Sequence, residues 1–390
     1  MSGREKFEME GGVRASIRRA VAQAKRERFR LFVAAVFVAD FSFLGVISRV
    51  FLNKFFVLGC DGGWGPCLQG SLYSTSLPSN VLGSFVMGLL VSSSTAGSPS
   101  AKAVLALPAG HSWQRNAELQ LGGRTGYCGT FTTFSGMASE ATQVGILVNG
   151  WMNWLGGIFV TIACSGAAFA MGMHVAMLAD KYDKGFWNWR DSRYPGRRIA
   201  YESGGEGPGS PSLELDDDIA LEMDIPFALS KTDIVAMLIL PCAAAAAAVG
   251  VGVETRHEWL RSTWLSVLFG PPAAWLRWQL SRLNGVPQDE GWRWFPYGTF
   301  AVNVFATALA AAMAAIELRV DLALWPRVVV GAVINGFCGT LSTISTFMAE
   351  LHNLTRLLPS SFRVYTYATA TCVSAIATVF IVYGSARWTM

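Results

Sequence analysis

The sequence predicts an all-α, polytopic membrane protein that contains the same unit twice. Hydrophobic residues make up 52% of the 390-residue chain and charged residues only 15%, which is too few charges for the surface of an ordinary soluble protein. The segment 126–140 reads GYCGTFTTFSGMASE and returns 210 positions later, at 336–350, as GFCGTLSTISTFMAE. Seven of the fifteen positions are identical, whereas unrelated segments would share about one. The chain is therefore an internal duplication.

Both copies of this segment combine two glycines three positions apart with a run of hydroxyl residues, inside a long apolar stretch. Glycine costs a helix about 1 kcal/mol relative to alanine, so an unbroken helix is disfavoured. Non-helical backbone inside a membrane is tolerated only where protein buries it or where it lines a wet cavity. The sequence therefore predicts a broken helix in each copy, close to a site for an ion or a substrate.

The first copy is predicted to occupy residues 31–180 and to span the membrane four times. It follows a polar tail, 1–30, which is rich in Arg and Lys and contains no apolar core of a signal peptide. A crossing needs about twenty apolar residues. The predicted spans are 31–51, 78–93, the segment around 126–140, and 148–178.

A linker and a second copy follow. Residues 181–231 are predicted to be a cytoplasmic linker, and the Gly, Ser, Pro and acidic composition of 201–224 is typical of disorder. A linker span is predicted at 232–254, with its apolar stretch at 234–253, and the second four-span copy at 255–390. Its predicted spans are 264–280, 295–316, 328–350 and 364–383, which gives nine in all.

Five crossings separate the start of the first copy from the start of the second, so the two copies are predicted to have opposite orientations in the membrane. The basic residues fall mainly in loops that this count places inside, which agrees with the positive-inside rule. The N-terminus is thus predicted to be cytoplasmic and the C-terminus extracellular.

Several function classes find little support. The basic residues lie between apolar runs instead of forming one folded face, which argues against nucleic-acid binding. The sequence contains no HExxH motif and no phosphate-binding glycine loop after a strand, so we predict no enzyme activity. The cysteines lack the paired spacing of a zinc site. Cys60 and Cys67 share a predicted outer loop, where a disulfide and two free thiols are equally compatible with the sequence.

The polar residues inside the predicted spans suit a small anion. Polar groups in a bilayer are costly and usually functional, and these are mostly neutral donors, which can replace part of an anion's hydration without holding it too tightly. The alternative is that they only join helices by hydrogen bonds of about 0.6 kcal/mol each. Repetition in both copies favours a pathway. The candidates are Asn80, Thr132, Thr133 and Ser135 in copy one, and Asn303, Ser342, Thr343 and Ser345 in copy two.

Four charged residues recur at matching positions. Arg49 and Arg277 lie at span ends and are included among the candidate pathway residues, although the favoured interpretation of each alone is that it extends its charge to the lipid headgroups. Glu140 and Glu350 close the two repeats, and either a pore vestibule or a simple interfacial position accounts for them.

These residues resemble the signature of the fluoride channel family, in its eukaryotic two-repeat form, the fluoride exporters (Fluc/FEX). The family pattern G-F-x-G-x-x-T-T-F-S-T-F, with a Glu shortly after it, is met by 126–140 and 336–350. The second-span Asn is met at Asn80 and Asn303, and the first-span G-x-x-x-R at Gly45 and Arg49. In copy two Ala273 replaces the glycine before Arg277.

The resemblance implies a passive, selective fluoride channel of the plasma membrane, acting as a single chain within the lipid bilayer. It also implies a structural sodium ion at the pseudo-twofold axis, held by the backbone carbonyls of the broken helices. By position these carbonyls belong to Gly129, Thr132, Gly339 and Ser342. The family places a fourth-span tyrosine near the Glu, and Tyr367 occupies that position.

Family pores use two phenylalanines three residues apart, one from each half. Copy one has Phe134 and then Met137, whereas copy two has Ile344 and then Phe347. If each pore takes one ring from each half, Phe134 and Phe347 complete one pore. The other pore has Met137 and Ile344 at these positions and therefore lacks both rings. We therefore expect one working pore of two. Two alternatives stay open: a proton-coupled small-anion antiporter that uses Glu140 or Glu350, and a scaffold without transport.

Overall fold

The computed structural model is helical through nearly all of the part that it describes, which is residues 3–60, 67, 74–95, 112–148, 151–193 and 230–390. Within these ranges the extended pairing consists of one isolated bridge between Asn284 and Pro296. The predicted all-α, polytopic membrane class is therefore confirmed. The predicted disorder at 201–224 lies outside the described residues.

The first half begins with a helix far longer than one crossing. α1 runs without a break over Gly3–Phe55, and includes much of the predicted polar tail. The last helix of this half likewise continues past the predicted boundary at 180, to Arg193. The other elements are α2 (Leu77–Thr95), α3 (Ala117–Leu121), a π-helical segment (Gly122–Cys128), α4 (Gly129–Phe131), α5 (Phe134–Val148) and α6 (Trp151–Arg193).

Among the described residues, one helix separates the two halves, α7 (Lys231–Val253), which begins with a capping box between Ser230 and Asp233, and the second half then repeats the order of the first. A short 3₁₀ turn follows α8, and a π-helical segment again precedes the three-residue helix. The elements are α8 (Glu258–Leu280), α9 (Tyr297–Arg319), α10 (Leu324–Ala332), a π-helical segment (Val333–Cys338), α11 (Gly339–Leu341), α12 (Ser345–Thr355), α13 (Arg363–Val379) and α14 (Ser385–Trp388).

Six stretches in the described residues are long and apolar enough to cross a membrane. Three of the nine predicted spans are not among these six. The first is α2, whose apolar part, Leu77–Val91, is shorter, and the second is α8. The third is the composite segment around 126–140. The six stretches are Gln23–Phe55, Trp154–Ala179, Lys231–Val253, Tyr297–Arg319, Leu324–Thr355 and Arg363–Trp388.

Close contacts between small residues hold the helices together. Gly88 on α2 and Gly172 on α6 each face the backbone of the other helix so closely that a Cβ at either position would collide with it. These two glycines therefore allow the two backbones to approach closely. On the other side of the molecule α7 packs against α1 and α8, where Ala247 contacts the cluster around Val46 and Val267.

The largest apolar cluster lies where the two halves meet. It contains residues from both copies of the repeated motif, including Phe134, Met137, Ile344 and Phe347, together with Tyr367 from α13. All five side chains are buried.

Outside this core, Cys60 and Cys67 form a disulfide, which decides between the two states that the sequence left open.

Candidate functional site

The helical backbone stops at the same place in both copies of the motif. Thr132 (φ −95°, ψ 151°) and Ser342 (φ −81°, ψ 158°) are extended residues that directly follow α4 and α11. Helix resumes at Phe134 in the first copy and at Ser345 in the second. An interruption of this kind frees backbone N–H and C=O groups that must find other partners when they are buried.

The two predicted asparagines supply those partners. The carboxamide of Asn80 donates to the carbonyl of Thr133 (3.1 Å) and accepts from the backbone N–H of the same residue (2.7 Å). Asn303 makes the equivalent pair of contacts with Thr343, at 3.3 and 2.8 Å. Both side chains are fully buried. Each amide uses one of its two N–H groups in this way, so it can offer a second donor.

The predicted hydroxyls join the two copies reciprocally. Ser345 Oγ lies 3.1 Å from Thr132 Oγ1, and Ser135 Oγ lies 2.8 Å from Ser342 Oγ. Ser135 also donates to the carbonyl of Cys338, and Ser345 to that of Cys128, both at 3.1 Å. Thr133 and Thr343 complete this hydroxyl cluster, at 3.2 Å from Ser342 and 3.3 Å from Thr132. The cluster therefore contains one matching set of donors from each half.

Arg49 and Arg277 do not reach toward the headgroups, and that expectation is wrong. Both are almost completely buried. Arg49 donates to the carbonyl of Thr130 in its own half (2.5 Å) and to those of Gly339 and Asn335 in the other half. The physical reason is that the interrupted segments leave buried carbonyls, and a guanidinium offers five N–H donors in a fixed fork.

Arg277 makes the reciprocal set of contacts. It donates to the carbonyl of Gly129 (2.6 Å) and that of Thr125 (2.5 Å) in the first half, and to that of Thr340 in its own half. Two of the four carbonyls predicted to hold sodium, those of Gly129 and Gly339, thus each accept a guanidinium N–H. Each arginine connects both halves.

The rings of Phe134 and Phe347 meet edge to face, with centroids 5.6 Å apart and planes at 79°. Phe347 also contacts the ring of Tyr367 at 5.1 Å. The hydroxyl of Tyr367 donates to Glu350 (2.6 Å), so one continuous path of contacts leads from the phenylalanine pair to a carboxylate.

The two glutamates have different surroundings. Glu350 accepts from Thr299 (2.6 Å), Asn284 (2.8 Å) and Tyr367, three side chains on three separate elements. Glu140 accepts from the backbone N–H and the hydroxyl of Thr75, at 2.8 and 2.7 Å, and from the backbone N–H of Ser76. Among the described residues, an aromatic hydroxyl and a side-chain amide donate to Glu350 and not to Glu140.

Sequence reasoning missed several of these polar residues. Thr299 lies one turn before Asn303 and so on the same face of α9, a spacing that could have revealed it. Asn284 and Thr75 lie in loops and gave no such signal. Ser84 and Ser165 are buried hydroxyls for which the described part of the chain provides no hydrogen-bond partner.

Comparison with known protein families gives a match to the model of the CrcB-like protein family, Camphor Resistance (CrcB), in two segments, residues 36–173 and 264–384. Together they cover more than half of the chain. The chain belongs to the CrcB-like family. The two segments coincide with the two halves described above, and each includes one interrupted helix and one buried arginine. This agrees with the predicted resemblance to the two-repeat form.

Individual members of the CrcB-like family are also similar to this chain. Fluoride export protein 1 of Saccharomyces cerevisiae is 26% identical over 312 residues, which cover 72% of this chain and 79% of the yeast protein. Fluoride export protein 1 of Neurospora crassa is 33% identical over 143 residues, or 34% of this chain and 24% of that protein. The fluoride-specific ion channel FluC of Bordetella pertussis is 42% identical over 78 residues, or 20% of this chain and 54% of that protein. The search of solved structures finds no match.

Proposed function

We propose that this CrcB-like protein is a passive, selective fluoride channel that exports fluoride across the plasma membrane and confers fluoride resistance. The observation that carries the proposal is the meeting of the two interrupted segments, where buried hydroxyls and amides lie beside the Phe134 and Phe347 rings. Neutral donors can replace the hydration of a small anion without trapping it, and ring edges carry partial positive charge. Relatives named as fluoride exporters and fluoride channels support the identity of the anion.

The proposed architecture has nine spans, in two inverted four-span repeats joined by α7. It adds α2, the composite segment 117–148 and α8 to the six apolar stretches. The reciprocal contacts of Arg49 and Arg277 support a pseudo-twofold relation between the halves. An odd number of crossings puts the two termini on opposite sides of the membrane, and the basic residues before the first span support a cytoplasmic N-terminus and an extracellular C-terminus. Epitope tags at both ends, probed on intact and permeabilised cells, test this arrangement.

We propose that only one of the two pathways conducts. A pore needs a phenylalanine from each half, and Phe134 and Phe347 provide one such pair, whereas the other would combine Met137 with Ile344. The three donors around Glu350 support the pathway that includes Tyr367 as the more complete of the two.

A structural sodium ion is proposed at the carbonyls of Gly129, Thr132, Gly339 and Ser342. These neutral oxygens fit a small hard cation, and the two that accept a guanidinium N–H each keep a second lone pair. The ion, when bound, would tie the two interrupted segments together. Arg49 and Arg277 also connect the two interrupted segments, because each guanidinium donates hydrogen bonds to carbonyls of both halves.

The deciding experiment measures fluoride release from liposomes that contain the purified full chain, with a fluoride-selective electrode. A channel discharges a fluoride gradient once a potassium ionophore compensates the charge, with no pH gradient, and does not discharge chloride. Release that strictly requires a pH gradient would support the proton-coupled antiporter instead. No release, together with full tolerance of Asn80→Ala and Asn303→Ala, would support a scaffold without transport.

A further inference from the structure

One end of the second half presents a basic and aromatic surface. We call it the arginine–tryptophan surface and define it as Arg282, Trp292, Arg293, Arg356 and Arg363. It lies on the loop between α8 and α9 and on the loop between α12 and α13. Trp292 is 64% exposed, and Arg282, Arg293 and Arg356 are exposed as well. Leu283, Val286 and Phe362 add further exposed apolar side chains at the same end.

The two loops form one unit. The guanidinium of Arg363 donates to the carbonyl of Pro287 (2.6 Å) and lies 5.3 Å from the centre of the Trp294 ring. Arg282 lies over the ring of Trp278 at 5.2 Å. Stacking of this kind is favourable for a charged guanidinium. The surface therefore combines positive charge with an exposed indole, the two features that favour the headgroup layer of a membrane.

The opposite end of the same half also carries two arginines. There Arg327 pairs with Glu258 (3.8 Å) and Asp321 (3.3 Å), and Arg319 donates to the carbonyl of Ala386. Two acidic residues, Asp289 and Glu290, lie in the loop between α8 and α9 with Arg282 and Arg293, and the segment 356–363 adds Arg356 and Arg363 without an acidic residue, so the described residues of the two segments carry two more positive than negative charges. The charge excess at this end matches an anionic partner.

This surface connects directly to the candidate pathway. Trp292 stacks on Trp294 at 6.1 Å, Trp294 contacts Phe295 at 5.5 Å, and Phe295 contacts Tyr367 at 5.3 Å. The same loop carries Asn284, which donates to Glu350. A ligand that holds this loop in place therefore also holds two of the three donors around Glu350.

We propose that the arginine–tryptophan surface binds the headgroups of acidic phospholipids and thereby keeps the donors around Glu350 in position. Clusters of four or more basic residues next to a membrane span attract anionic lipids. The exposed Trp292 adds interfacial anchoring beside these arginines. The assignment of this surface to the cytoplasmic leaflet rests on the proposed orientation, but the binding itself does not.

Native mass spectrometry of the detergent-solubilised full chain, with added phosphatidylglycerol or phosphatidylcholine, tests the binding. We expect the unmodified protein to retain phosphatidylglycerol preferentially, and Arg282→Gln with Arg293→Gln to lower its affinity by about five-fold for each arginine removed. The matched control is Arg319→Gln with Arg327→Gln at the other end, which should keep the preference. The thermal unfolding midpoint of each variant verifies that it is folded.

Equal retention of the two lipids by the unmodified protein would overturn the proposal, and so would an equal loss in the control variant. Faster fluoride release from vesicles containing phosphatidylglycerol than from pure phosphatidylcholine would support the link to Glu350, whereas equal release would refute that link. Absence of fluoride release in every lipid would contradict the proposed channel function but not the proposed lipid binding, because lipid retention is measured without transport.

Discussion

The two halves of this CrcB-like protein agree in how they interrupt a helix and differ in what surrounds the glutamate beyond it. Asn80 and Asn303 bind the interrupted backbone in the same way. By contrast, Glu350 has three side-chain donors from separate elements, whereas the described donors to Glu140 are one hydroxyl, that of Thr75, and the backbone of Thr75 and Ser76. After duplication the positions that hold the backbone stayed alike, while those around the proposed pathway diverged. This is expected when both halves are needed for the fold and one pathway is enough for transport.

The largest effect is expected from the phenylalanine pair. Phe134→Ile and Phe347→Ile should each reduce fluoride release to the leak of protein-free liposomes, because each removes a ring from the one complete pair. Met137→Ala and Ile344→Ala are the matched controls and should retain most of the release. Comparable losses of fluoride release in all four variants would contradict a single working pathway.

The buried arginines should dominate stability. Arg277→Gln removes a charged donor that contacts three buried carbonyls, and hydrogen bonds to charged groups contribute about 1.5–3 kcal/mol each. We expect a drop of at least about 3 kcal/mol in the free energy of unfolding, with a similar drop for Arg49→Gln. Denaturant titrations in detergent measure both values. A large effect from one arginine and none from the other would contradict the reciprocal role.

Asparagine substitutions test whether the two interruptions are equivalent. Asn80→Ala and Asn303→Ala each leave a buried backbone N–H and carbonyl without their partner, at a cost of about 1–3 kcal/mol for each group. The two thermal unfolding midpoints should fall by similar amounts. If only Asn303→Ala abolishes fluoride release, its amide acts in the pathway as well as in the fold.

Replacing sodium by N-methyl-D-glucamine tests the proposed ion at the four carbonyls. Loss of a ligand that binds only the folded state lowers the unfolding midpoint in proportion to how far its concentration exceeds its dissociation constant. We therefore expect a lower midpoint without sodium and a larger decrease in Arg49→Gln. An unchanged midpoint in both proteins would indicate that the arginines alone hold the carbonyls.

The smallest effect should come from the tyrosine beside Glu350. Tyr367→Phe removes one of three donors, and hydrogen bonds between membrane helices contribute about 0.6 kcal/mol on average. Fluoride release should fall by several-fold or less while the protein stays folded, and Glu350→Gln should reduce release more than Glu140→Gln does. The reverse order for the two glutamates would indicate that the pathway beside Glu140 conducts.

Much of this organisation could be predicted from the sequence, because the repeat itself contains the signal. Matching glycines and hydroxyls indicated the two segments at which the backbone leaves the helix, and the apolar stretches indicated the class of fold. The length of α1 could not be predicted from hydropathy, since a polar continuation such as 3–30 has no apolar pattern to show where a helix ends.

The destination of the arginines was mispredicted for a physical reason. A guanidinium near a span end normally reaches the headgroups, and only the arrangement of both halves reveals the carbonyls that Arg49 and Arg277 contact. The partners of Glu350 were hidden in the same way, because Asn284 comes from a loop whose position depends on packing. Long-range contacts of single polar side chains leave no periodic pattern in a sequence.

The crossed arginines make the halves dependent on each other. Each interrupted segment is completed by a side chain that the other half provides, so neither half could lose its arginine, or be replaced by an unrelated unit, without leaving carbonyls unsatisfied in its neighbour. A chain of this kind can lose the function of one of its two pathways. It cannot discard either half, because each half supplies the arginine that completes the interrupted segment of the other.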